Sequence, residues 1–177
     1  MLTYHRDPLQ PNCTQTLADS IADVQLLSQI TTRIRLYNSE CNQPALVLEA
    51  IKQTRTNLKI FPALYVSEKD EVGYQRQRTA LQQALQNYGT DNVLGIIVGN
   101  EFMLNYTLAH NTTDANSTAG MAASAILKGK IADIRQMLTS MNISVPVGTS
   151  DVGGFFNVDL LGAVDFGCAF ISQISTN

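Results

Sequence analysis

Short apolar runs alternate with longer amphipathic stretches along all 177 residues, and this alternation restricts the fold more than any other feature of the chain. Residues 2–4 form the remnant of a first strand, followed by a loop through Pro8 and Pro11. Leu17, Ile21, Val24, Leu27 and Ile30 repeat at helical spacing and predict a helix over 16–30. Residues 33–37 read as a second strand, with Pro44 near the start of a helix that runs to about residue 54. Residues 58–66 form a third strand, in which Pro62 calls for a bulge or a strand end. A Gln-rich helix over 71–88 is closed by Gly89. A fourth strand starts at Val93, followed by a long helix over 120–141 and a fifth strand over 145–149. A short helix over 157–163 and a sixth strand over 164–171 complete the series. Such an order belongs to a parallel α/β chain. The sequence stops at Asn177, just past that sixth strand; an open sheet can end there, whereas a closed barrel needs a seventh strand.

The fourth strand carries the sharpest chemical signal. Val93-Leu94-Gly95-Ile96-Ile97-Val98-Gly99 is apolar and bounded by glycines, as a strand buried on both faces should be. It ends in Asn100-Glu101, where strands of a (β/α) protein meet their active face. A carboxyl group walled by apolar neighbours can act there as a general acid; an ordinary loop opening is the alternative. Length and a hydrophobic fraction of 45% suit one globular domain over 1–177. A net charge of −3 with scattered basic residues argues against nucleic acid as a partner. No apolar run approaches the ~20 residues that cross a bilayer.

Five sequons, at Asn12, Asn105, Asn111, Asn116 and Asn142, point to the secretory path, although the start of the chain lacks the apolar core of a signal peptide. Three of them crowd between Asn105 and Thr118, which predicts an exposed loop. In an oxidising compartment Cys13 and Cys41 could be bridged, leaving Cys168 unpaired; three free thiols are the other possibility. Neither the cysteine spacing nor any other pattern forms a metal site, and no phosphate-binding glycine loop or cofactor motif is present. His5 and His110 fall in predicted loops, as solvated surface residues.

Several motifs in order resemble glycoside hydrolase family 17, in particular its fungal-type cell-wall β-1,3-glucanases and glucan transferases. They are Arg35-Leu36-Tyr37 with Cys41-Asn42-Gln43, Leu58-Lys59-Ile60-Phe61, and Val98-Gly99-Asn100-Glu101-Phe102. Val145-Pro146-Val147-Gly148-Thr149-Ser150-Asp151 and Asp165-Phe166-Gly167 follow. The resemblance implies a (β/α)8 TIM-barrel fold, here incomplete with about six β/α units, and cleavage of cell-wall β-1,3-glucan with retention of configuration. It places Glu101 as the acid/base and Asn100 against the sugar 2-hydroxyl. Tyr37 would stack on or hydrogen-bond a glucosyl ring, or else pack at the rim. Asp151 would bind sugar hydroxyls, or cap a loop. Phe155 and Phe156 would wall a subsite, or pack in the core. No cofactor or metal is implied; the partner is β-glucan, and the oligomeric state is left open. Secretion to the cell wall follows from the same resemblance.

Departures are equally concrete. The family's nucleophilic glutamate comes from a seventh strand, and Glu40, Asp70 and Asp151 do not clearly replace it. Ser172 stands where a sugar-binding histidine is expected, and Asn38-Ser39-Glu40 replaces a glycine-containing turn before Cys41. Two readings follow: an enzyme domain that lacks its nucleophile within this chain, or a non-catalytic glucan-binding or wall-associated protein, an inactive fragment included.

Overall fold

The structure, a computed structural model, describes residues 1–4 and 13–170. All strand pairings among them are parallel. Strands β1 (Leu2–Tyr4), β2 (Arg33–Leu36) and β3 (Lys59–Phe61) form one run. Strands β4 (Ala63–Leu64), β5 (Ile96–Asn100), β6 (Val147–Val152) and β7 (Gly167–Phe170) form a second, in the order β4-β5-β6-β7. The two runs meet at Pro62. Having no N–H, this proline interrupts the ladder, but its carbonyl still accepts the Ile97 N–H at 2.9 Å. On the near side of the break, Ile60 pairs with Val93 in an isolated bridge. The predicted third strand is therefore split in two, and the fourth begins at Ile96 rather than Val93. With β3 and β4 counted as one broken strand, the described residues hold six strand positions of an incomplete TIM-type barrel.

Helices return the chain between strands, and their ends carry ordinary sequence signals. Helix α1 (Leu17–Leu27) starts in a capping box between Thr16 and Asp19. Helix α2 (Gln43–Thr54) has Pro44 in its first turn. Helix α3 (Glu71–Tyr88) is capped by Asp70, whose carboxylate accepts the Gly73 N–H, and ends on Gly89 at φ 68°. Helix α4 (Phe102–Ala109) and helix α5 (Thr118–Ser140) both follow β5, and Ser117 caps the second. Helix α6 (Val158–Leu161) is shorter than the predicted 157–163 because Asn157 caps its start and Gly162 its end. One sequon, Asn105 to Thr107, thus lies on α4 and not in a loop; Thr107 is fully buried, its hydroxyl donating to the Met103 carbonyl at 2.8 Å. The predicted fifth strand runs further, to Val152, and the sixth starts only at Gly167.

Alternation along each strand divides the side chains between two layers. Ile34, Leu36, Ile60, Leu64, Ile96, Val98 and Val147 pack outward into one core with α1, α2, α3 and α5, through residues such as Val24, Val47, Leu81, Leu127 and Ile131. The opposite face carries Arg35 and Ser150, which bond each other across the sheet, and Phe61, edge-on to Phe166 at 5.5 Å. A disulfide joins Cys13 to Cys41 and ties the segment before α1 to the turn before α2; Cys168 is free and half-buried. Residues 5–12 and 171–177, including His5, Asn12 and Ser172, lie outside the described residues.

Candidate active site

The site is set by the way β5 ends. Gly99 has φ 85°, and a Cβ there would stand 2.8 Å from Leu127 Cδ1, so a side chain meets strain from both the backbone and the core. The β5–β6 register slips between Ile97 and Asn100: Ile97 pairs with Gly148 but Asn100 with Ser150, leaving one extra residue on β5. Such a bulge re-aims the side chains that follow it. Asn100 is 2% exposed, and among the described residues its Nδ2 makes no hydrogen bond of ordinary geometry, the Tyr37 hydroxyl being the group it approaches. A buried donor left unpaired costs roughly 1–3 kcal/mol.

Glu101 follows at φ 54°, ψ 28°, in the left-handed region that a glutamate rarely adopts. Its N–H donates to the Ser150 carbonyl at 2.9 Å and its carbonyl accepts the Asn105 N–H at 2.9 Å, which holds the strained conformation from both sides. It occupies the N-cap position of α4, yet its side chain caps nothing and makes no hydrogen bond among the described residues. That capping is done by Asp151 instead. Its Oδ2 accepts the Met103 N–H at 2.8 Å and its Oδ1 the Val152 N–H at 2.9 Å. Burial raises the Asp151 pKa to about 6, against the opposing backbone hydrogen bonds and with a further push from the Glu101 charge. The Glu101 carboxylate is left half-buried and uncommitted at the carboxyl end of the sheet.

Two aromatic rings and one cation complete the surroundings. Tyr37, just beyond β2, stacks on Tyr65 with ring centroids 6.0 Å apart and planes 19° apart. Burial raises the Tyr37 pKa, and the Glu101 charge raises it further, while the hydrogen-bonding influence of the Asn100 side chain lowers it. Arg35 is 8% exposed; its Nε donates to Thr3 Oγ1 at 3.0 Å, its Nη1 to Ser150 Oγ, and its guanidinium lies over the Phe170 ring at 5.2 Å. Desolvation lowers its pKa, and the Glu101 charge is among the influences that raise it.

The structure therefore brings Glu101, Asn100 and Tyr37 together and places Asp151 behind them, fully buried, with each carboxylate oxygen taken by backbone N–H groups. Of the two uses open to Asp151, capping is the one this geometry shows. Phe155 and Phe156 are half-buried, and Gly167 lies against the Phe156 ring. Arg35 and Tyr65 were not assigned a role from the sequence. An arginine between Ile34 and Leu36 was the available signal for the first; nothing local distinguishes the second. Among the described residues no group of three His, Cys, Asp or Glu stands close enough to hold a metal ion.

Comparison with known proteins agrees with this architecture. A family model described as the BtgE/BtgC glycoside hydrolase domain matches residues 2–171. An Aspergillus niger protein that carries the name glucan endo-1,3-beta-glucosidase btgC is 34% identical over 161 residues, 90% of this chain and 21% of its own length. A Schizosaccharomyces pombe glucan 1,3-beta-glucosidase is 33% identical over 135 residues, 75% of this chain and 37% of that protein. The chain thus spans a minor part of the curated relatives it matches. Among solved structures, an active-site mutant of Rhizomucor miehei beta-1,3-glucanosyltransferase in complex with laminaritriose superposes with a TM-score of 0.68 at 25% identity. That match covers 93% of this chain and 54% of that one. The matching family model, the curated relatives and the shared fold lead to one statement: this chain belongs to the BtgE/BtgC glycoside hydrolase domain family.

Proposed function

We propose that residues 1–177 form part of one catalytic domain, secreted to the cell wall, that acts on β-1,3-glucan by a retaining double displacement with Glu101 as acid/base. The observation that carries this reading is Glu101, its backbone held in a strained conformation and its carboxylate left without a hydrogen bond among the described residues while Asp151 caps α4 in its place. Strain of this kind, of order 1–3 kcal/mol, persists where the surrounding structure over-determines it, as at active sites. The laminaritriose held by the Rhizomucor miehei transferase supports the substrate class. In this reading Asn100, beside Tyr37 at the strand end, takes the sugar 2-hydroxyl once substrate enters, a hydrogen bond that strengthens in the transition state. The half-buried Tyr37, braced by Tyr65, supplies an aromatic face to a glucosyl ring.

Retention needs a second carboxyl group about 5–5.5 Å from the first. Among the described acids near the carboxyl ends of the strands, Glu40 pairs with Arg76 at 2.8 Å, Asp70 caps α3 and Asp151 caps α4. Glu68 stands exposed on the loop after β4. Glu40, Asp70 and Asp151 are each engaged elsewhere, which supports a nucleophile from outside the described residues. The same observation favours a second reading, a glucan-binding domain without turnover. Laminarin hydrolysis or transfer by the protein as its host makes it separates the two. The enzyme reading expects Glu101→Gln to lower turnover by roughly three orders of magnitude or more while laminaritriose binding persists. Unchanged turnover in that variant would discard Glu101 as the acid/base. Binding without turnover in the unaltered protein would establish the second reading.

A further inference from the structure

The folded chain sorts its asparagines by use. Asn38, Asn100 and Asn157 are buried, and the first and last hold neighbouring backbone, Asn38 accepting from the Glu40 N–H and Asn157 donating to the Ala115 carbonyl. The sequon asparagines within the described residues, Asn105, Asn111, Asn116 and Asn142, are all exposed, and their side chains make no hydrogen bond among those residues. Asn111 and Asn116 stand out because both lie on the loop that joins α4 to α5, and their hydroxyl partners Thr113 and Thr118 are exposed as well. Asn111 sits at φ 56°, where asparagine is at ease, and the Asn116 N–H donates to Asp114 Oδ1 at 2.8 Å, which turns the chain outward without using either amide side chain.

A separate observation identifies the environment. The Cys13–Cys41 bridge belongs to an oxidising compartment, and asparagine glycosylation of Asn-X-Ser/Thr takes place on chains that enter it. We propose that Asn111 and Asn116 carry N-linked glycans, forming a sugar-bearing rim on the face where the strands end. In the modifying step the amide nitrogen attacks the anomeric carbon of a lipid-linked oligosaccharyl diphosphate. The N–C1 bond forms, the C1–O bond to the diphosphate breaks, the diphosphate leaves with the electron pair, and the amide loses one proton. Asn157 anchors the loop from the turn after β6, so both glycans lie on the face where the strands end and Glu101 stands. Neither would bury surface needed by the core, since both side chains already point into solvent.

The test uses the natural protein and does not depend on glucan chemistry. Protein recovered from the secreted and wall fractions of its host is treated with a peptide N-glycosidase in heavy-oxygen water, then mapped by peptide mass spectrometry. The expected result is isotope-labelled aspartate at both Asn111 and Asn116. Unlabelled asparagine at either position overturns the paired rim, as does recovery of the protein only inside cells with both residues unlabelled. An Asn111→Gln/Asn116→Gln chain expressed in the same host is expected to lose mass equal to two glycans and to keep its melting temperature. An unchanged mass would likewise overturn the proposal.

Discussion

Gly99 is the residue on which the site geometry turns. At φ 85° an alanine there adopts a disfavoured backbone, and its Cβ presses on Leu127, which can yield only by shifting inside the core. Gly99→Ala is expected to lower stability by roughly 1–3 kcal/mol, read as a shift of the urea midpoint, and to reduce any glucan turnover more than that loss explains. A variant as stable as the parent would mean the backbone does not need this conformation. Asp151 gives a pH signature with a definite sign. Its folded pKa, about 6, lies above the 3.8 of an ordinary aspartate, so the folded state holds the proton more tightly. The contribution is fully present below about pH 4 and is lost as pH rises through about 6, on the order of 3 kcal/mol in total. Denaturant titrations from pH 4 to 7 should show this decline in the parent and not in Asp151→Asn; parallel curves would rule the assignment out. At this scale the sequence already showed Asn100 and Glu101, because a polar pair that ends an apolar run is conspicuous. It left the job of Asp151 open, since capping and sugar binding demand the same residue type.

Among the elements, the Cys13–Cys41 bridge and the Pro62 break matter most. The bridge spans 28 residues of sequence that include α1 and β2. Restricting the unfolded chain over a loop of that length is worth about 3–4 kcal/mol. Replacing both cysteines by serine should lower the melting temperature by several degrees, whereas an unchanged melting curve would mean that packing of α1 against α2 suffices alone. Helix boundaries were legible where a breaker marks them, Gly89 after α3 and Pro44 in the first turn of α2, whereas α5 starts at Thr118, two residues before the expected 120, because the Ser117 side chain caps it. Helix α4 was missed because its hydroxyl and amide residues read as loop, while burial of Phe102, Met103 and Thr107 against the core outweighs that local preference. Pro62 announced an interruption, but whether the strand ended or resumed depended on β5 pairing beyond it.

Across the molecule, β1 pairs only with β2 and β7 only with β6 among the described residues, so the sheet does not close on itself. Between those two strands lies a cavity of about 410 Å³, with Arg35 among its lining residues. Open edges invite pairing with other chains. Residues 1–177 produced in isolation are expected to associate above micromolar concentrations and to release no reducing sugar from laminarin; a monomeric, active segment would refute both expectations. The order of elements apart from α4, the parallel class of the sheet and the family resemblance were written in the sequence, because alternation and the strand-end Asn-Glu pair are local patterns. The buried Asn100 amide beside Tyr37, the freedom of the Glu101 side chain, the contact between Tyr37 and Tyr65, and the burial of Arg35 beside Ser150 were decided only by tertiary structure. Each depends on which residues of different strands or loops meet, or fail to meet, once the sheet curls, and no spacing along the chain records that.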